Sequence, residues 1–238
     1  MSVEEITLPN YKLRHELWNS ISHGIGAIFG IVALVLMMLK INGIYPNNPE
    51  VAHDTNFVYQ IVCSSIYAFG IISCMTISCL YHALARNNGK RVFRVIDHDF
   101  VFVLVGCTYS IFCLCAIRNE PCWGGLIPHS GWIIFAIAWA LIALGITMNS
   151  INIKKYNVLS MLIYVGVGWS IIFASDALIN TIGWGGFGFL LGGGVAFTIG
   201  SILYGIGSKK SVWWHTVFHF FVLIGIILQF IGVYFFVL

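Results

Sequence analysis

The sequence predicts an all-α membrane protein: a bundle of seven transmembrane helices with its amino terminus in the cytoplasm and its carboxyl terminus outside. Three observations predict it. The 238 residues are 59% hydrophobic and only 9% charged, with a mean hydropathy of +0.90. A soluble domain carries about 25% charged residues, so no water-facing surface can be built from this inventory. Apolar runs near the ~20 residues that cross a hydrocarbon core recur along the whole chain, and the basic residues gather in alternate loops between them.

A short cytoplasmic segment, 1–19, precedes one transmembrane domain, 20–238. The segment carries Glu4, Glu5 and Glu16, and no cleavage-type site follows an apolar core, so a secretory signal peptide is not expected. The seven runs fall at about 20–39, 57–82, 99–117, 131–149, 157–175, 185–206 and 212–237. Breakers such as Pro46-Asn47-Asn48-Pro49 and Asn87-Asn88-Gly89 separate them. Gly26 and Gly30, and Gly193, Gly194 and Gly200, read as sites of close helix contact. The runs are continuous rather than alternating, which disfavours a β-barrel. The seven cysteines contain no CxxC pair and read as small packing residues, only Cys122 falling in a loop.

Orientation follows from the loops. Lys12 and Arg14 precede the first span; Arg86, Lys90, Arg91 and Arg94 lie between the second and third. Lys154 and Lys155, then Lys209 and Lys210, complete ten of the twelve basic residues on one face. The other face keeps Lys40 and Arg118 beside Glu50, Asp54, Glu120 and Asp176. The positive-inside rule makes the first face cytoplasmic. Trp18, Trp123, Trp132, Trp184, Trp213 and Trp214 flank the spans as interfacial anchors do. The net charge of +3 is not gathered into a stripe or tail, so nucleic acid is not an expected partner; membrane lipids are.

Ionisable groups within spans are expensive and mark function by default. Here they are His23, His82, Asp97, Asp99, His215 and His219, and the topology brings all six to one depth near the cytoplasmic interface. His215-Thr-Val-Phe-His219 places two imidazoles at i and i+4, on one helix face. Both can reach one metal ion, and His82 can supply a third nitrogen. Ser78 sits one turn from His82 on the same face, and Asp97 can accept a hydrogen bond from a metal-bound water or become a ligand itself. Three imidazoles with an open position are the pattern of a catalytic zinc site. The bland alternative is that histidines near helix ends snorkel to the headgroups, which is the expected reading of His23 unless it hydrogen-bonds within the bundle. His15, His53 and His129 are assigned nothing. Of His98 and Asp99, one is expected to face the site while the other pairs with Arg91 or Arg94.

The order Ser78-x3-His82, Arg94-x2-Asp97-His98 and His215-x3-His219 resembles the haemolysin III branch of the progestin and adipoQ receptor (PAQR) family. Glu16-x2-Asn19-x3-His23-Gly24, Gly168-Trp169 and the Gly193-Gly194 to Tyr204 stretch are similar to it as well. The resemblance runs over essentially the whole chain. It implies a seven-helix fold and a Zn2+ ion held by His82, His215 and His219, with Asp97 holding the zinc-bound water and Ser78 beside it. Alkaline ceramidases and adipoQ receptors share the constellation, which implies hydrolysis of lipid amides; the branch name implies cytolysis instead. Three departures stand out. Cys107-Thr-Tyr-Ser-Ile111 replaces Gly-Thr-Tyr-Thr-Pro, so the third helix is expected to be straighter. Gln229 replaces a histidine, and Asp99 replaces a small hydroxyl residue and could change the site's charge.

Three functions compete. The first is a zinc-dependent hydrolase acting on the amide or ester of an acyl lipid at the cytoplasmic leaflet, with Asp97 and Ser78 as its catalytic groups. The second is a pore-forming or cytolytic protein; the outer halves of the spans offer almost no polar lining for a monomeric channel, which leaves a homo-oligomer open. The third is a receptor of membrane-lipid state with structural zinc. A bacterial inner or plasma membrane is the expected location.

Overall fold

The computed structural model describes residues 2–44, 56–207 and 210–238. The Pro46–Pro49 breaker, Glu50, His53, Asp54 and Lys209 lie outside the described residues. Seven α-helices occupy the rest: α1 (Leu13–Ile41), α2 (Phe57–Ala83), α3 (Asn88–Tyr109), α4 (Ser130–Ile151), α5 (Ile153–Ser170), α6 (Ser175–Gly207) and α7 (Trp213–Gly232). Among the described residues there is no strand, only an isolated bridge between Cys122 and Ile127. The chain is thus an all-α membrane protein.

Hydropathy locates the apolar middles of helices but not their polar ends. α1 begins at Leu13 rather than at residue 20, and α3 begins at Asn88 rather than at 99. Asn87-Asn88-Gly89 is accordingly not a breaker. Asn87 is the N-cap of α3, its side-chain oxygen accepting from the Lys90 N–H at 2.9 Å, and the chain enters the helix at once. Asp97 and Asp99 therefore lie in mid-helix, where backbone geometry holds them more firmly than at a helix start.

Six helical stretches are long and apolar enough to cross a membrane, because the fifth and sixth expected spans belong to one stretch, Ile153–Gly207, of 55 residues. It is not a straight rod. A 3-10 turn, Ile171–Ala174, joins α5 to α6, and Gly183 breaks α6 with φ 66° and ψ 173°, a conformation that a side chain would strain.

α3 continues past Tyr109 as a π-helical segment, Ser110–Ala116, in which the Ile117 N–H reaches back five residues to the Phe112 carbonyl at 3.3 Å. Loss of the proline at Ile111 thus does not leave a regular α-helix. The widened turn is buried against α2 and α4.

α1 packs mainly on α2, α2 on α3 and α6 on α7, and α7 returns to α1; α5 lies on α4 and barely touches α6. Glycine permits the closest approaches. A Cβ at Gly26 would stand 2.7 Å from both the Met75 sulfur and a Leu223 methyl, so α1, α2 and α7 meet at van der Waals limits only because that position is bare. Gly194 differs from its neighbour Gly193: nothing lies within 4 Å of its would-be Cβ, because it borders a cavity instead of a helix. Each of the seven cysteines is a free thiol and all but Cys79 are buried, as packing residues are.

Candidate metal centre

α7 begins at Trp213, so His215 and His219 stand in its first two turns on the face turned to α1 and α2. His82 stands one residue before the end of α2. The His82 and His215 Nε2 atoms lie 3.2 Å apart, and those of His215 and His219 lie 3.0 Å apart. All three residues are buried, and each offers a nitrogen within 4.8 Å of the others.

Two readings compete for nitrogens so placed: hydrogen bonds between rings, or a shared cation. His82 decides its own tautomer. Its Nδ1 lies 2.6 Å from Glu16 Oε2, a carboxylate oxygen that accepts only, so in the neutral ring the proton sits on Nδ1 and Nε2 presents a lone pair. A single N–H on His215 Nε2 then has two neighbours to serve, His82 and His219, at similar distances. One cation serves all three lone pairs. Nitrogens bound tetrahedrally at 2.0–2.1 Å stand about 3.3 Å apart, close to the observed 3.0 and 3.2 Å. The donor set fits a metal ion of intermediate softness; imidazole suits zinc, copper, iron and nickel.

Around the triad the structure places groups that the sequence singled out. Asp97 sits beside the Ser78 hydroxyl, within electrostatic reach of His82 and Arg94. Both line a cavity of about 490 Å³ whose polar head also includes His98, His215 and His219. The cavity runs away from this head between α3, α5, α6 and α7, past Met161, Phe197 and Thr198, to Phe112, Ile171 and Leu190. α5 and α6 both wall it; their backbones approach at few points, and Trp169 Nε1 of α5 donates to Thr198 Oγ1 of α6 across the gap at 2.9 Å.

His23 does not reach the headgroups. It is buried, its ring stacked on His219 with centroids 3.7 Å apart and planes 15° apart, so it stiffens that ring. His98 faces the cavity, but its neighbour does not pair with an arginine: Asp99 accepts from Asn149 Nδ2 at 2.7 Å and Ser150 Oγ at 2.8 Å. Its charge is therefore directed to α4 rather than to the triad.

Residues without an assigned role in the sequence also converge here. Glu16 holds His82, and its other oxygen receives Lys90 Nζ at 2.7 Å. The segment before α1 folds across the mouth. Arg94 donates to the Thr7 carbonyl, and Arg86 donates to the Pro9 carbonyl at 2.6 Å. That strap lays the Tyr11 ring on His215, with centroids 5.4 Å apart and planes 24° apart. Burial, with the nearby Tyr204 hydroxyl, pushes the Tyr11 phenol well above its usual range, so it remains an O–H donor. The signal available for Glu16 was its spacing: Glu16, Asn19 and His23 share one face of α1, and the last two are buried. Tyr11 and Lys90 had no comparable signal.

The comparisons with known proteins agree with this arrangement in extent. The chain is 29% identical to Hemolysin-3 of Bacillus cereus, over 99% of this chain and 97% of the relative. It is 28% identical to the Hemolysin-3 homolog of Bacillus subtilis (strain 168), over 95% of this chain and 96% of that one. The haemolysin-III-related family matches residues 11–230, a stretch that contains Tyr11, Glu16 and every residue of the triad. With its apolar helices, that match makes the chain a multi-pass cell-membrane protein belonging to the haemolysin-III-related family, the branch of the PAQR proteins that its motifs resemble.

Proposed function

We propose that this protein is a zinc-dependent hydrolase that cleaves the amide or ester of an acyl lipid at the cytoplasmic leaflet. One observation carries the reading: three imidazole nitrogens converge beside a carboxylate and a hydroxyl, at the polar head of an apolar cavity. A site for structural metal has no need of such a cavity.

The topology that goes with it has seven crossings, with the amino terminus inside and the carboxyl terminus outside. A continuous 55-residue helix would be about 80 Å long at about 1.5 Å per residue. A hydrocarbon core is about 30 Å thick, so Ile153–Gly207 crosses twice, with the break at Gly183 marking the outer turn. The basic loops support a cytoplasmic position for the triad.

His82, His215 and His219 would hold the zinc, which supplies Lewis acidity for a carbonyl and for water near neutral pH. The chain's own groups do the rest. The acyl chain enters between α5 and α6 and lies in the apolar cavity, which brings its carbonyl to the polar head. Asp97 orients the attacking water, takes its proton at a carboxylate oxygen, and returns it to the leaving amine or alkoxide as the carbonyl C–N or C–O bond breaks. Ser78 donates its hydroxyl to the oxygen on which charge develops. The Tyr11 strap excludes bulk water from the cytoplasmic side. Membrane lipids are thus the partners, as substrate and as solvent.

The name of the relatives favours a second reading, cytolysis by an oligomeric pore. The cavity argues against a pore through one chain, since its far end is walled by Phe112, Ile171 and Leu190. Both readings are tested in one experiment. Zinc-loaded protein is placed in liposomes containing a ceramide-like amide and a phospholipid ester, and fatty-acid release and dye leakage are read together. Release that a chelator abolishes, without leakage, supports the hydrolase. Leakage without release supports the pore, and neither supports the receptor with structural zinc.

A further inference from the structure

Glu16 stands 66 residues from His82 in sequence, on another helix, yet its two oxygens are divided with purpose. Oε2 meets His82 Nδ1 at 2.6 Å; Oε1 receives Lys90 Nζ at 2.7 Å. Lys90, itself buried, gives its remaining donors to the carbonyl of His82 at 3.3 Å and that of Leu84 at 3.0 Å. An ammonium has three protons, and here each has an acceptor. His82 is consequently gripped twice by one ion pair, at the ring by Glu16 and at the backbone by Lys90. Three helices contribute: α1 the carboxylate, α2 the histidine and α3 the lysine.

Among the described residues, neither of the other two histidines meets a carboxylate. The Nδ1 of His215 makes no hydrogen bond within the protein. His215 and His219 are instead positioned by sharing one helix face and by ring stacking on Tyr11 and His23. His82 comes from a different helix, near its end, where its ring meets Tyr81 and Tyr11 only at a tilt, with centroids 4.6 and 5.8 Å away. A half-buried Glu–Lys pair serving only to fasten helices would not need to spend one oxygen on a histidine ring. That oxygen fixes the proton on Nδ1, points the Nε2 lone pair at His215 and His219, and makes the imidazole a stronger donor.

We propose that Glu16 is the positioning residue of the metal centre, acting through His82 and itself held by Lys90. The proposal rests on the metal reading of the triad. It assigns Glu16 no contact with substrate. It predicts that Glu16 governs metal affinity and ligand field, not only stability.

The test uses the full chain in detergent, as the wild type and as Glu16→Gln and Glu16→Ala. Zinc affinity is measured by competition with a chromophoric chelator, the visible spectrum is recorded with Co2+ in place of zinc, and metal-free melting is followed in parallel. Loss of such an outer partner weakens metal affinity about 10–100-fold. The expected result is one metal per chain in all three proteins, affinity reduced within that range, least in Glu16→Gln, and a shifted Co2+ band. Glu16→Gln keeps the shape of the side chain and carries the test should Glu16→Ala not fold. Affinities and spectra equal to those of a metal-binding wild type overturn the positioning role and leave the metal centre standing. A wild type that binds no zinc overturns both.

Discussion

The two ends of the bundle both bury polar groups in an apolar setting, and they do it in opposite ways. At the end away from the histidines Lys40 donates to the Tyr234 carbonyl, its ammonium 4.7 Å from the Tyr234 ring centroid, and the Arg118 guanidinium lies 4.1 Å above the Tyr59 ring. These contacts join a cation to a carbonyl or to an aromatic face, and they fasten helices. At the histidine end ring nitrogens face one another, 3.0 and 3.2 Å apart, and converge on a common point. The first pattern sets a cation against electron-rich partners; the second brings together three groups that one cation could share. Burial of polar groups alone therefore does not mark a site. What marks it is acceptors turned toward acceptors beside a cavity that can admit a substrate.

That contrast can be broken or sharpened by substitution. The largest effect is expected from Asp97→Asn. Removal of a general base costs about 10²–10⁴-fold in rate, so lipid hydrolysis should fall by at least about 100-fold while zinc content stays unchanged. A fall in zinc to match would make Asp97 a ligand instead. Arg118→Met, at the end away from the histidines, should act in reverse: a desolvated cation–π contact is worth about 2 kcal/mol, so thermal denaturation should show a lower melting temperature with metal content and hydrolysis intact. The smallest effect is expected from Tyr11→Ala, which opens the mouth without touching the lone pairs. Zinc should be stripped by a chelator several-fold faster in a stopped-flow measurement, at unchanged stoichiometry.

The same contrast explains what was legible in the sequence. Apolar runs and loop charges reveal the helices because the bilayer imposes length and sign directly. The helix starts at Leu13 and Asn88 escape that signal, since their first turns are polar. The π-helical turn at Ser110–Ala116 escapes because it depends on packing. His215 and His219 are legible from an i, i+4 spacing, and His82 from shared depth, which local geometry and topology dictate. His23 was misjudged because snorkelling and inward stacking place a histidine at the same depth, and only the rotation of α1 separates them. Asp99 was misjudged for a similar reason, its partners Asn149 and Ser150 lying on a helix 50 residues away. The Glu16–Lys90 pair joins residues 74 apart, and no periodicity predicts such a meeting.

The central claim is that the triad holds zinc. The most direct measurement is the metal content of the detergent-purified full chain by mass spectrometry, beside a His215→Ala/His219→Ala variant. The account predicts about one zinc per chain, lost in the variant while the helical spectrum is retained. A wild type that remains free of zinc after exposure to the metal, or a variant that keeps its zinc, would contradict it.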